Sequence, residues 1–251
     1  MTAEMLRSPT SAVLIIGNEI LSGRTQDTNI ADIAKFLGLL GIELCEARVV
    51  RDVEAEIVAA INALRASYTY VFTTGGIGPT HDDITADAIA KAFGVGIDYH
   101  PEALAILECR YKPGEFNVMR RRMARIPDGA TLIKNPISAA PGFQMENVFV
   151  MAGVPMIMRA MLEDIAPRLA RGAVVVSKTV SANVPEGRIA EPLAQVQAAH
   201  AQVAIGSYPF YRNDGSGVEL VVRGRAAAAV EDATQAIEAI LSALGAGSKR
   251  I

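Results

Sequence analysis

The sequence predicts an α/β protein with a mostly parallel sheet covered by helices on both faces, followed by a small α+β domain. Three observations predict it. Short apolar runs rich in β-branched residues alternate with helix-length amphipathic stretches over the first two thirds of the 251-residue chain. Helix-length stretches link the first three apolar runs, as parallel strands with right-handed crossovers require. Near Arg171 the rhythm changes to β-α-β-β-α. The expected domains are therefore 1–170 and 171–251.

Ser11 to Gly17 is a buried central strand, with Val13, Leu14, Ile15 and Ile16 in its middle. Asn18 to Gly23 reads as a loop. Asn29 leads into a helix whose stripe is Ile30, Ile33, Ala34, Leu37 and Leu40, ended by Gly41. A second strand runs from Ile42 to Val50. Asp52 is the expected cap of a helix to Ala66, with Val53, Ile57, Ala60, Ile61 and Leu64 on one face. Tyr70 to Thr73 is the third strand. Ile84, Ala88, Ile89 and Phe93 then recur at helical spacing until Gly94. From Pro101 to Arg125 the pattern is helical and basic. A solvated face explains such a run, and one or two arginines reaching an anionic substrate is the alternative. Ala130 to Lys134 and Asn147 to Met151 read as strands, joined through a rigid loop from Asn135 to Gly142. Pro155 suits the first position of a helix to about Leu169.

In the second domain, Val174 to Val180 is a strand and Glu186 to Ala199 a helix. Gln202 to Tyr208 and Val218 to Val222 are strands around a turn at 212–217. An alanine-rich helix follows from Ala226 to Leu244, and Gly245 to Ile251 reads as a frayed tail.

Composition narrows the function. A formal charge of −3 argues against general affinity for nucleic acid. No apolar run of about 18 residues is present to span a membrane, and the first ten residues carry no secretory signal. Cys45 and Cys109 lack metal-ligand spacing and are expected to be buried or inert in a reducing, cytoplasmic setting. His81, His100 and His200 show no zinc spacing.

The richest stretch is 70–87, where a strand passes through Gly75, Gly76 and Gly78 before Pro79-Thr-His-Asp-Asp83 and a helix start. Free amide groups and a helix dipole at such a turn favour phosphate. Two adjacent carboxylates would repel a bare phosphate but would hold a hard divalent cation against it. Glycine-rich turns are common, and an Asp at a helix start is often only a cap. The loops after the three strands ending at Gly17, Thr73 and Ala152 should meet on one rim, bringing Glu19 within reach of the cation held by Asp82 and Asp83. His81 is a weaker candidate, as ligand or acid–base group. Neither a dinucleotide fingerprint nor a P-loop is present. Metal-assisted phosphoryl or pyrophosphate chemistry is the class these residues favour.

GNEILSG at 17–23, TTGGIGPTHDDITADAIAKAFG at 73–94, NPISAAPGF at 135–143 and AGVP at 152–155 resemble the N-terminal region of the competence/damage-inducible CinA family. That region belongs to the molybdopterin-binding, MoaB/MogA-like superfamily. The resemblance covers about 10–170, and 171–251 looks like the small domain that follows it. It implies a three-layer α/β/α fold. It also implies divalent-metal-dependent hydrolysis of ADP-ribose to AMP and ribose 5-phosphate, with Mg²⁺, Mn²⁺ or Co²⁺ and K⁺ as a further candidate. Asn18, Glu19, Thr74, Gly75, Gly76, Ile77, Gly78, Asp82 and Asp83 would line that site. Asn135, Pro141, Gly142, Gly153 and Pro155 match further family positions, and Glu186 matches an acidic residue of the small domain. In the molybdenum-cofactor branch the glycine loop holds a pterin phosphate and an Asp matching Asp83 serves adenylyl transfer. Ile77 stands where those enzymes carry Thr, which favours the CinA branch; molybdopterin binding is the alternative, and a non-catalytic nucleotide-binding module a third. The nicotinamide-nucleotide amidase domain of many CinA proteins is not expected here. The implied partners are a small nucleotide substrate and a second copy of the chain.

Overall fold

The computed structural model describes residues 8–112, 114–212 and 215–251, which form two compact units, 1–172 and 173–251. In the first, β1 (Thr10–Ile16) is buried from Ser11 onward and runs into a one-turn helix, α1 (Asn18–Leu21), where a loop was expected. The turn is anchored from outside: the Asn18 amide donates to Asp52 Oδ2 at 2.8 Å. Asp52 therefore serves α1, while the helix it was expected to cap begins after Val53 without a side-chain cap.

α2 (Asn29–Leu39) buries Ile33 and Leu37, β2 (Glu43–Val50) follows, and α3 (Glu54–Ser67) buries Ile57, Ala60, Ile61 and Leu64. β3 (Tyr70–Thr74) leads through the glycine loop to α4 (Thr85–Phe93), which ends on left-handed Gly94. β4 (Ile97–Tyr99) precedes α5 (Pro101–Arg110), whose first turn is capped by His100 accepting from the Ala103 amide. The basic stretch is not one helix. It breaks into α5, α6 (Val118–Arg121), a 3₁₀ turn at Arg122–Ala124 and β5 (Arg125–Pro127), which pairs antiparallel with β4. Pro113 lies outside the described residues.

β6 (Thr131–Ile133), β7 (Gly142–Met145) and β8 (Val148–Met151) complete the sheet, and α7 (Pro155–Ile165) starts on its proline. β7 was not expected; it inserts between the two strands that were. The order is β2-β1-β3-β8-β7-β6, parallel through β8 and antiparallel at β7 and β6. One core cluster packs α3, α4 and α5 on one face, and another packs α2 and α7 on the other. In the second, Phe72 and Phe149 of neighbouring strands stack with centroids 5.2 Å apart.

The second unit has its own core. β9 (Val176–Ala182), α8 (Glu186–Ala199), β10 (Ala204–Arg212), β11 (Gly215–Gly224) and α9 (Ala227–Ala243) follow the expected order. Asn213 and Asp214 of the expected turn lie outside the described residues. The tail is not frayed: β12 (Ser248–Arg250) pairs with β9, and Arg250 meets Glu231 and Glu238 on α9. Cys45 and Cys109 are exposed rather than buried, because alternation along β2 and the outer face of α5 turn them to solvent. No helix among the described residues is long and apolar enough to cross a membrane.

Candidate functional site

β1, β3 and β8 are parallel neighbours, so their C-terminal loops open on the same rim. The backbone there is packed too closely for side chains. Gly75 has φ +103° and donates its amide to Met151 O at 3.2 Å. A Cβ at this position would lie 2.1 Å from the Ile16 carbonyl oxygen. Gly76 has φ +67°, and a Cβ there would lie 2.2 Å from Thr85 Oγ1. Thr85 locks the turn: its hydroxyl donates to Gly75 O and its amide to Gly76 O, both at 3.0 Å. α4 thus begins by closing the loop that feeds it.

Gly75's amide is spent in the sheet, contrary to the expectation that it faces a ligand. The amides of Gly76, Ile77 and Gly78 have no hydrogen-bond acceptor among the described residues. These residues border a cavity of about 480 Å³, a size ordinary for a ligand site. Glu19 and Thr25 line it from the segment after β1, Asp83 and Met123 from beside the glycine loop. Asn135, Ser138 and Ala140 line it from the loop before β7, and Ala152 to Pro155 with Ile157 from the start of α7.

The three predicted carboxylates are not one cluster. Glu19 and Asp83 both line the cavity, but Asp82 does not. Asp83 Oδ2 accepts from the Thr80 amide at 2.7 Å and from the Thr80 hydroxyl. That turn lays the carboxylate against Gly78 and sends Asp82 outward, with 59% of its side chain exposed. His81 is 94% exposed, its Nδ1 3.9 Å from Asp82 Oδ1. Neither aspartate caps α4, whose N-cap is Ile84. Among the described residues no three His, Cys, Asp or Glu side chains are placed to hold one metal ion.

The other predicted residues divide by role. Gly153 and Pro155 line the cavity. Asn135 also borders it, yet its side chain is committed to its own loop, donating to Ser138 Oγ and Ala140 O and accepting from the Ile137 and Ser138 amides. Asn18 is exposed, Thr74 is buried in β3, and Gly142 is buried in β7. Pro141 borders two neighbouring hollows instead. Glu186 belongs to the second unit, where it accepts from Ser207 Oγ at 2.7 Å.

One residue escaped the sequence reading. Asn29, buried at the start of α2, donates to Gly153 O at 2.8 Å and to Thr74 Oγ1, tying the ends of β3 and β8 together. Its signal was the polar run Arg24-Thr-Gln-Asp-Thr-Asn29 before an apolar stripe. Arg122 belongs to the basic stretch in which one or two arginines reaching an anionic substrate was the alternative to a solvated face; it lies beside the glycine loop, its guanidinium donating to Asp83 O at 3.4 Å.

Residues 12–171 match the family model for a probable molybdopterin binding domain, and 174–246 match that for the middle domain of FAD synthase. A protein of Aeropyrum pernix is 34% identical over 94% of this chain and 92% of its own. A CinA-like protein of Gemmatimonas aurantiaca is 34% identical over 83% of this chain, with 52% of that relative covered. The crystal structure of CinA from Thermoplasma acidophilum, a protein of unknown function, aligns with TM-score 0.61 at 34% identity. It covers 64% of this chain and 98% of its own.

Proposed function

The chain belongs to the probable molybdopterin binding domain family, and from that membership and the cavity's geometry we propose that it is a metal-dependent hydrolase of a nucleotide pyrophosphate, with ADP-ribose as the substrate to test. The observation that carries this is the placing of Glu19 and Asp83 on one cavity with three unspent amides at 76–78. A phosphate-only binder gains nothing from two added negative charges. Two carboxylates suit a small hard cation that completes its shell with water and phosphate oxygens, and they do not suit an ion caged wholly by protein.

A divalent ion held by Glu19 and Asp83 would neutralise phosphate charge and supply a bound water of lowered pKa. The chain's own part is to hold and orient. The amides of Gly76, Ile77 and Gly78 donate to phosphate oxygens from a backbone fixed by Thr85, so little reorganisation accompanies binding. The start of α7 adds the positive end of its dipole on the same cavity. Ile77, Val154 and Ile157 give it apolar wall, limiting water around the anhydride.

Molybdopterin binding with adenylyl transfer is the second reading, favoured by the family model itself. Ile77 weighs against it, because an apolar side chain lines the cavity where a hydroxyl would serve a pterin phosphate. Incubation with ADP-ribose and Mg²⁺, Mn²⁺ or Co²⁺, and separately with molybdopterin and ATP, separates the two. AMP released from ADP-ribose and suppressed by EDTA is expected. Adenylylated pterin without AMP from ADP-ribose overturns the hydrolase.

A further inference from the structure

Among the described residues, every arginine and lysine that is at least partly buried has a carboxylate partner within 4.0 Å, with one exception. The exception is Arg122. Its neighbour Arg125 is paired with Asp87 at 2.7 Å, and Arg120 and Arg121 lie over the rings of Tyr111 and Tyr99. Arg122 has only the Asp83 carbonyl, at 3.4 Å. A half-buried guanidinium offers five donors in a fixed fork and loses hydration without compensation when no anion meets it.

Its position supplies the anion. Arg122 borders a small hollow with Gly76, Ile77, Gly78 and Asp83, and these four residues also border the 480 Å³ cavity. The cation therefore stands beside the glycine loop, next to amides that also lack acceptors. Glu19 and Asp83 make the cavity itself acidic, and no lysine or arginine lines it. A divalent ion between Glu19 and Asp83 is balanced by their two carboxylates, so a diphosphate there gains from a further cation, which the amides do not supply.

Resting on the reading of this cavity as a pyrophosphate site, we propose that Arg122 is the specificity-determining cation, meeting one of the two phosphoryl groups of a diphosphate ligand. Its fork takes two oxygens of one phosphoryl group while the loop amides hold the next. Monophosphates, offering one phosphoryl group, use only half of this arrangement.

Calorimetric titration with inorganic pyrophosphate, ADP-ribose and AMP, each with Mg²⁺, tests this on the full chain. Arg122→Ala should weaken pyrophosphate and ADP-ribose by about tenfold or more, the worth of one charge-assisted contact. AMP should change much less. Arg122→Gln keeps a donor for the Asp83 carbonyl but no charge, so its affinity should stay near that of Arg122→Ala, whereas Arg122→Lys should recover part of the loss. The affinity of Arg122→Ala should also fall less steeply with added salt. Arg121→Ala, which removes an exposed neighbour, serves as the control. If the unaltered chain binds neither diphosphate, the pyrophosphate reading fails and the role of Arg122 with it. If it binds them and Arg122→Ala binds equally well, or Arg122→Gln restores affinity fully, only the role of Arg122 is overturned.

Discussion

Asp83 and Gly75 sit eight positions apart and answer opposite questions. Asp83 is half-buried, bonded to Thr80, and its replacement by Asn keeps an acceptor for the Thr80 amide while removing the charge. Asp83→Asn should leave stability within about 1 kcal/mol and abolish metal-dependent turnover, read by urea unfolding alongside AMP release. Gly75→Ala should do the reverse of sparing the fold. The alanine must take φ near +103° and face the Ile16 carbonyl at 2.1 Å, so a loss of about 1–3 kcal/mol or more is expected in the same urea experiment. A Gly75→Ala chain as stable as the parent would mean the rim is looser than its geometry. Both residues stand out in the sequence as members of one long motif. What a linear reading misses is that consecutive aspartates point to different places, because the Thr80 turn separates them.

At the scale of elements, strands and helices were legible wherever one stretch carried its own periodicity, as α2, α3 and α4 do. β7 was not. Four residues, Gly142-Phe-Gln-Met145, show no alternation long enough to read, and the strand exists through its partners β6 and β8. The basic stretch misled for a related reason. Arg120, Arg121, Arg122 and Arg125 share one pattern, yet the backbone changes from helix to 3₁₀ turn to strand beneath them. β12 was missed because its three residues are polar and exposed, held by pairing to β9 and by Arg250 between Glu231 and Glu238. Lys178 first, then Gln235 and Arg250, hold the Glu231 carboxyl down at about 2. Since the folded-state value is depressed, this network's contribution is complete above the unfolded carboxyl's value of about 4.3 and is lost as pH falls through the folded one. Arg250→Ala should raise the Glu231 pKa measured by side-chain NMR, without bringing it to normal while Lys178 remains. The Ile251 amide, which donates to Thr179 O at 3.0 Å, should then exchange faster. Unchanged exchange would show that pairing alone holds the last strand.

For the whole chain, three core clusters share no residue between 1–172 and 173–251. The second unit buries Val180, Val218, Leu220, Val222, Val230, Ile237 and Leu241 around one sheet face. Residues 173–251 made alone should therefore fold, giving dispersed amide resonances and a cooperative melt of their own. The unit is small enough for marginal stability, and a collapsed, undispersed spectrum would show that its core is insufficient. The change of rhythm near Arg171 was readable because β-α-β-β-α replaces a crossover pattern over many residues. The cavity was only partly readable. The loops after β1, β3 and β8 were found from their motifs, but Asn29 and Arg122 reach the rim from segments whose sequence resembles ordinary helix start and solvated face.

The packing of Gly75 against Ile16 keeps that stretch of the cavity's lining, with Gly76 and Gly78, free of side chains. Such a stretch offers a guest only backbone, so the flanking side chains would decide which guest fits. On the proposed reading of the cavity as a phosphate site, exchanging Ile77, Val154 or Ile157 should retune which molecule is welcomed while the backbone contacts to its phosphates stay as they are. Anchorage and discrimination would thereby be separable on this scaffold, so that engineering one need not disturb the other.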